Sequence, residues 1–141
     1  MRLPIDVRST SRFLPTALWM ALIFFLSSRS TLPHAPGLSG SLTAIAGHLV
    51  AYAVLALLLA WGLRGGDLTG RQRLQLAFIF AVAFGATDEF HQSFVPGRDA
   101  NPVDLLLDAV GAATALLMMR WLSARRTGNA TSSPRRPLGG R

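Results

Sequence analysis

The sequence predicts an all-α integral membrane bundle of four transmembrane helices, with the N- and C-termini both inside. Three observations lead to this prediction: charge is rare, the uncharged segments are long, and the arginines are unevenly placed. Charged residues make up 15% of the 141 residues, against about 25% in an ordinary soluble domain. Half of the residues are hydrophobic, which excludes an intrinsically disordered chain. The absence of cysteine excludes a disulfide framework and a thiolate metal site.

Four stretches approach the length of about 20 residues that a membrane-spanning helix needs. They are residues 13–28, 43–63, 74–94 and 103–122. The second reaches this length without a charged residue, the first is slightly short, and the other two reach it by including acidic residues. A soluble bundle would need polar faces at helical spacing, but residues 44–61 offer only His48 and Tyr52. A cleaved signal peptide is the alternative for the first stretch, yet no clear A-x-A cleavage site follows it.

Local signals mark the ends of these helices. A Gly-Gly pair follows the second helix and a Pro-Gly pair follows the third, and both are typical of turns. Asn101 as N-cap, Pro102 at the first helical position and Asp104 in the first turn predict the start of the fourth helix.

The arginines predict the orientation, because cytoplasmic segments collect positive charge. Twelve of the 14 arginines lie in segment 1–12, in loop 64–73 or beyond residue 119, and only Arg29 and Arg98 lie on the other side. We therefore predict a cytoplasmic N-terminal segment (1–12), a four-helix membrane domain (13–122) and a disordered basic cytoplasmic tail (123–141). The net charge of +7 is then a topology signal, and we expect membrane lipid rather than nucleic acid as a partner.

The polar residues within the predicted spans lie at one depth, in the outer third. Ionisable groups inside a membrane are costly, so they are candidates for function. At the helical rise per residue, His48 lies roughly 7–8 Å, Asp88 about 9 Å and Asp108 about 8 Å below the outer end of its helix. Ser28 and Arg29 lie at the outer end of the first helix.

Within each helix, the polar residues recur at spacings of three or four, which places them on one face. These sets are His48 with Tyr52, Asp88 with His91 and Gln92, and Asp104 with Asp108 and Gly111. Gly111 also begins a surface of small residues that allows a neighbouring helix to approach closely. Glu89 is turned about 100° from Asp88, so we expect one acid to pair with Arg98 or Arg29 and the other to face the cavity.

The predicted site is therefore an outward-facing polar pocket formed by the outer ends of all four helices. Its candidate acid–base or catalytic residues are His48, Asp88 and Glu89. Its candidate binding residues are Ser28, Tyr52, Gln92, Arg98, Asp104 and Asp108. Simpler roles are open for some of them: Asp104 as a helix cap, Tyr52 as a packed aromatic side chain, and Ser28 as a helix-end residue.

Three classes of function fit such a pocket. The first is recognition of a lipid headgroup or amphiphile, with Arg29 and Arg98 holding phosphate. The second is metal-assisted or acid–base hydrolysis at the outer face, with a divalent ion bound by side chains of opposite helices. The candidate ligands of that ion are His48, Glu89, His91 and Asp108. The third is a small transporter, although carriers place their key acid near the midplane. The residues predict neither an enzyme nor a particular cofactor.

Several of these residues also form a longer pattern. Its parts are the run TDEFHQSFVPGR at residues 87–98, then Asp104 and Gly111, a Ser-Ser pair at 27–28, and His48 four residues before Tyr52. This pattern resembles the VanZ-like family of bacterial membrane proteins, and the resemblance covers about residues 13–117. The family pattern has Asn at the position of Asp108, so this chain carries an additional charge that needs a partner.

The resemblance implies a small multi-pass helical protein of the bacterial inner (cytoplasmic) membrane. The name-giving member of the family is associated with low-level resistance to the glycopeptide teicoplanin. The resemblance therefore implies a role at the cell envelope and, as a partner, an envelope lipid or a glycopeptide-type amphiphile. It implies no particular biochemical activity.

Overall fold

The structure is a computed structural model, and it describes residues 11–30, 39–98 and 100–131, with side chains up to residue 126. Four α-helices account for most of these residues, and the described part of the chain contains no strand. The helices are α1 (Leu14–Ser27), α2 (Gly40–Gly62), α3 (Gly70–Gln92) and α4 (Pro102–Thr131), with a short 3-10 turn at Leu63–Gly65. The all-α prediction is therefore confirmed.

The helix starts follow from side-chain caps, which satisfy the free N–H groups of the first turn. Helix α4 begins as predicted, and Asn101 Oδ1 accepts a hydrogen bond from the Val103 N–H at 3.0 Å. Helix α3 begins four residues before the predicted position. The reason is a reciprocal capping box: the Thr69 hydroxyl accepts from the Gln72 N–H, and Gln72 Oε1 accepts from the Thr69 N–H.

The end of α4 corrects one prediction. Residues 123–131 were expected to be part of a disordered tail, but the helix continues to Thr131. Low apolar content does not prevent a helix, because arginine and alanine, which recur here, are strong helix formers. The remainder of the predicted tail and most of the N-terminal segment lie outside the described residues.

Small side chains form much of the interior. The buried hydrophobic residues include five alanines, which are Ala56, Ala60, Ala77, Ala81 and Ala112. Helix α2 packs most extensively against α4, and there the backbones come very close because Gly111 has no side chain. The Trp19 indole N–H of α1 donates a hydrogen bond to the Ala51 carbonyl of α2 at 2.9 Å.

Two of the helices are long and apolar enough to cross a membrane. They correspond to Gly40–Gly65, with a mean hydropathy of 2.2, and Pro102–Arg126, with a mean hydropathy of 1.6. Helix α1 is a shorter apolar helix of 14 residues. Helix α3 is 23 residues long but contains charged residues near both ends. By length and composition, two of the described helices are thus compatible with a membrane protein.

Candidate functional site

The predicted polar residues lie together at one end of the bundle, which we call the site end. It is formed by the C-terminal ends of α1 and α3 and the N-terminal ends of α2 and α4. Antiparallel packing therefore brings the four polar segments to one level. Within the site end, the side chains form two connected groups, one around Asp88 and one around His48.

Asp88 ties α1 to α3. Ser27 Oγ donates a hydrogen bond to Asp88 Oδ1 at 2.6 Å, and Gln92 Nε2 donates to Asp88 Oδ2 at 3.0 Å. All three residues are buried. Asp88 therefore has a partner for each carboxylate oxygen, as a buried acid requires. Ser27 was not among the predicted binding residues, and the Ser-Ser pair at the end of α1 was the signal for it.

Glu89 connects α3 to the start of α4. Its Oε2 accepts a hydrogen bond from the Asn101 backbone N–H at 3.0 Å, and its Oε1 lies 3.4 Å from Gln92 Nε2. The amide of Gln92 thus bridges Glu89 and Asp88. This corrects the expectation that the two acids diverge, because a flexible amide between them reaches both carboxylates.

Arg98 does not pair with either acid, which corrects a second expectation. Its Nε donates to the Arg29 carbonyl at 3.1 Å, and an Nη atom lies 3.5 Å from the Leu26 carbonyl. The last carbonyls of a helix lack partners within the helix, so the end of α1 is a ready acceptor for this guanidinium. The Arg29 guanidinium lies over the Phe25 ring, 4.5 Å from its centroid.

His48 is the partner of Asp108. His48 Nδ1 lies 2.8 Å from Asp108 Oδ1, and His48 Nε2 lies 3.9 Å from Asp104 Oδ2. Only 1% of the Asp108 side chain is exposed. An ionised carboxylate can only accept a hydrogen bond, so Nδ1 is the donor, and in the neutral imidazole the lone pair of Nε2 is directed away from Asp108.

Tyr52 lies one helical turn from His48, and its buried hydroxyl has no hydrogen-bond partner among the residues that the structure describes. Oδ2 of Asp108 is likewise buried and unpartnered. Gly85 of α3 allows both to fit, because a Cβ at Gly85 would lie 3.2 Å from Tyr52 Cε1 and 3.0 Å from Asp108 Oδ2. The sequence analysis missed Gly85, although an isolated glycine within an apolar helix was a signal for close approach.

His91 and Ser28 lie apart from His48. Ser28 Oγ lies 3.0 Å from His91 Nε2, and the Phe24 ring stacks on the imidazole with centroids 4.1 Å apart. His91 therefore faces α1 and does not join His48 in a metal site. Among the described residues, the side chains that could together hold a metal ion are instead His48, Glu89 and Asp104, each with one ligand atom within 4.8 Å of the others.

A cavity of about 520 Å³ opens between α1, α2 and α3 at the site end. Apolar side chains of α1 and α2 and polar side chains of all three helices line it, together with Arg98 from the segment after α3. The lining includes Ile23, Leu26, Ala51, Tyr52, Asp88 and Arg98. A mostly apolar cavity with a few convergent polar groups is typical of a small-molecule site.

Comparison with known proteins agrees with the resemblance found in the sequence. The family model described as VanZ/LLP1 matches residues 12–123, which include the site end and most of the four helices. No curated protein and no solved structure matches the chain.

Proposed function

The chain belongs to the VanZ/LLP1 family, and we propose that it is a multi-pass protein of the bacterial cytoplasmic membrane that binds an envelope amphiphile. In this proposal all four helices span the membrane, both termini are inside, and the cavity between α1, α2 and α3 opens at the outer face. The occupant is an envelope lipid or a glycopeptide-type amphiphile.

Outward-facing apolar side chains support four spans. Every helix exposes large hydrophobic residues, including Leu18 on α1, Val50 on α2, Phe80 on α3 and Leu117 on α4, each more than half exposed. Apolar surface on all sides of a bundle with alanine in its core is expected in lipid. Helix α1 is about 21 Å long by the helical rise and is therefore shorter than the hydrocarbon core. Local thinning of the bilayer accommodates this difference in length.

The arginines support an outward-facing cavity. Three of them, Arg64, Arg71 and Arg73, lie at or next to the connection between α2 and α3, at the end of the bundle opposite the cavity. Arginine-rich short loops stay in the cytoplasm. If this loop is inside and α2 and α3 span the membrane, the site end is outside.

The cavity at the site end, with Tyr52 in its lining, is the observation that carries the binding proposal. The Tyr52 hydroxyl is buried and has no hydrogen-bond partner among the described residues, which is costly, and a polar group of a bound molecule that reached it would supply the missing hydrogen bond. Ile23, Leu26 and Ala51 offer an apolar wall for a hydrocarbon chain. Arg98, which also lines the cavity, carries a positive charge suited to an anionic group such as phosphate.

We expect two substitutions at the cavity to weaken binding to different degrees. Tyr52→Phe should weaken it about fivefold, because one neutral hydrogen bond contributes about 1 kcal/mol. Arg98→Gln should weaken it at least about tenfold for an anionic ligand, because charge-assisted hydrogen bonds are stronger. The measurement is a titration of the purified full chain in detergent with fluorescently labelled phosphatidylglycerol and, separately, with labelled teicoplanin.

Arg120→Gln is the matched control. Arg120 is an exposed arginine in the C-terminal half of α4, at the end of the bundle opposite the cavity. It should bind both probes like the unchanged chain. Equal binding by all the variants, or no saturable binding of either probe, would contradict the proposal. Loss of glycopeptide resistance in His48→Ala or Glu89→Ala with unchanged probe binding would favour an enzyme over a binding protein.

A further inference from the structure

Beside the cavity, three side chains from three different helices converge on one point. They are His48 of α2, Glu89 of α3 and Asp104 of α4, and one ligand atom of each lies within 4.8 Å of the other two. Neighbouring ligands of a tetrahedral ion with bonds of about 2.1 Å are about 3.4 Å apart. A modest inward movement of the side chains would therefore suffice to place all three around one ion.

Two of these side chains are already held in position by groups behind them. Asp108 fixes the His48 ring through Nδ1 and leaves Nε2 as the ligand atom, 3.9 Å from Asp104 Oδ2. The Asn101 backbone N–H fixes Glu89 through Oε2. Carboxylates behind a ligating histidine and hydrogen bonds to ligating carboxylates are the usual supports of a metal site.

The charges around this point are unbalanced. Four carboxylates lie at the site end, which are Asp88, Glu89, Asp104 and Asp108, and three of them are buried. Within the described ranges, His48 is the one basic side chain in ion-pair contact with any of them, since Arg98 donates to backbone carbonyls. Buried charges are normally paired or coordinate a metal, and a divalent cation would restore the balance.

We propose that His48, Glu89 and Asp104 bind one divalent cation, with Zn²⁺ or Mn²⁺ favoured over Ca²⁺. One imidazole nitrogen with two carboxylates suits these ions, whereas Ca²⁺ takes oxygen ligands. Asp104 gives access from water, because 28% of its side chain is exposed, and three protein ligands leave a coordination position open. This site does not rest on amphiphile binding in the cavity.

The test is a titration of the full chain, purified in detergent and stripped with a chelator, with ZnCl₂ and with MnCl₂ by calorimetry. We expect one equivalent of at least one of these ions to bind. His48→Ala, Glu89→Gln and Asp104→Asn should each lower the affinity at least about tenfold, and Asp108→Asn should lower it about 10- to 100-fold with unchanged stoichiometry. Circular dichroism of each variant serves as the test that it is folded. Asp104→Asn is the mildest change, because asparagine has nearly the size of aspartate and is likewise tolerated near the start of a helix.

His91→Ala is the matched control, because His91 lies at the same end but faces Phe24 and Ser28. It should bind the ion like the unchanged chain. Absence of saturable binding of either ion by the unchanged chain, or an equal loss in His91→Ala and His48→Ala, would overturn the proposal. The titration contains neither labelled lipid nor teicoplanin, so its failure would leave the proposed function intact.

Discussion

Replacing Gly111 by alanine is expected to destabilise the protein strongly, because α2 and α4 could no longer keep their present distance. A Cβ at Gly111 would overlap the carbonyl oxygen of Leu49 and lie 2.9 Å from the Leu49 Cα. These are backbone atoms of a helix, so they cannot rotate away as a side chain could. We expect a loss of at least about 2 kcal/mol in the free energy of unfolding, at the upper range of overpacking effects.

Gly47→Ala is the matched control, because it makes the same change in α2 where no atom lies within 4 Å of the added Cβ. Alanine should stabilise that helix by up to about 1 kcal/mol. The measurement is thermal unfolding of both purified variants in detergent, followed by circular dichroism. Equal stability of the Gly111→Ala variant and the unchanged chain would show that α2 and α4 do not pack as described.

Replacing His48 by alanine is expected to have the second large effect. It removes the one hydrogen-bond partner that the described residues provide for the Asp108 side chain, which is almost fully buried. Leaving a buried carboxylate without its partner typically costs about 3 kcal/mol or more. The expected result is a lower free energy of unfolding, measured by denaturant titration in detergent.

A double-mutant cycle separates this effect from the loss of packing. His48→Ala combined with Asp108→Asn should be more stable than His48→Ala alone, because a neutral amide without a partner costs less than a carboxylate. If the two single substitutions add without any coupling, the His48–Asp108 pair does not contribute to stability as proposed.

Much of the fold could be predicted because charge and hydropathy are local properties of the sequence. The number of helices and the start of α4 at Asn101 and Pro102 followed from them. The earlier start of α3 was missed, because the capping box of Thr69 and Gln72 extends the helix into a polar loop that hydropathy alone does not assign.

The membership of the site could be predicted better than its internal contacts. Helical rise alone places His48, Asp88 and Asp108 at similar depth. The partners depend on how each helix is rotated and on how closely neighbouring helices approach, and a single sequence does not encode these in any local pattern. Thus the pairing of His48 with Asp108 and the separate position of His91 emerged only from the packing.

The proposed function depends most directly on the site end lying at the outer face of the membrane. Because the chain contains no cysteine, single cysteines placed at the exposed positions Arg71 and Ser93 can be labelled in intact cells with a membrane-impermeant maleimide. If the site end faces outward, Ser93→Cys is labelled in intact cells, whereas Arg71→Cys is labelled only after the membrane is permeabilised. Labelling of both positions in intact cells, or of Arg71→Cys alone, would contradict this orientation.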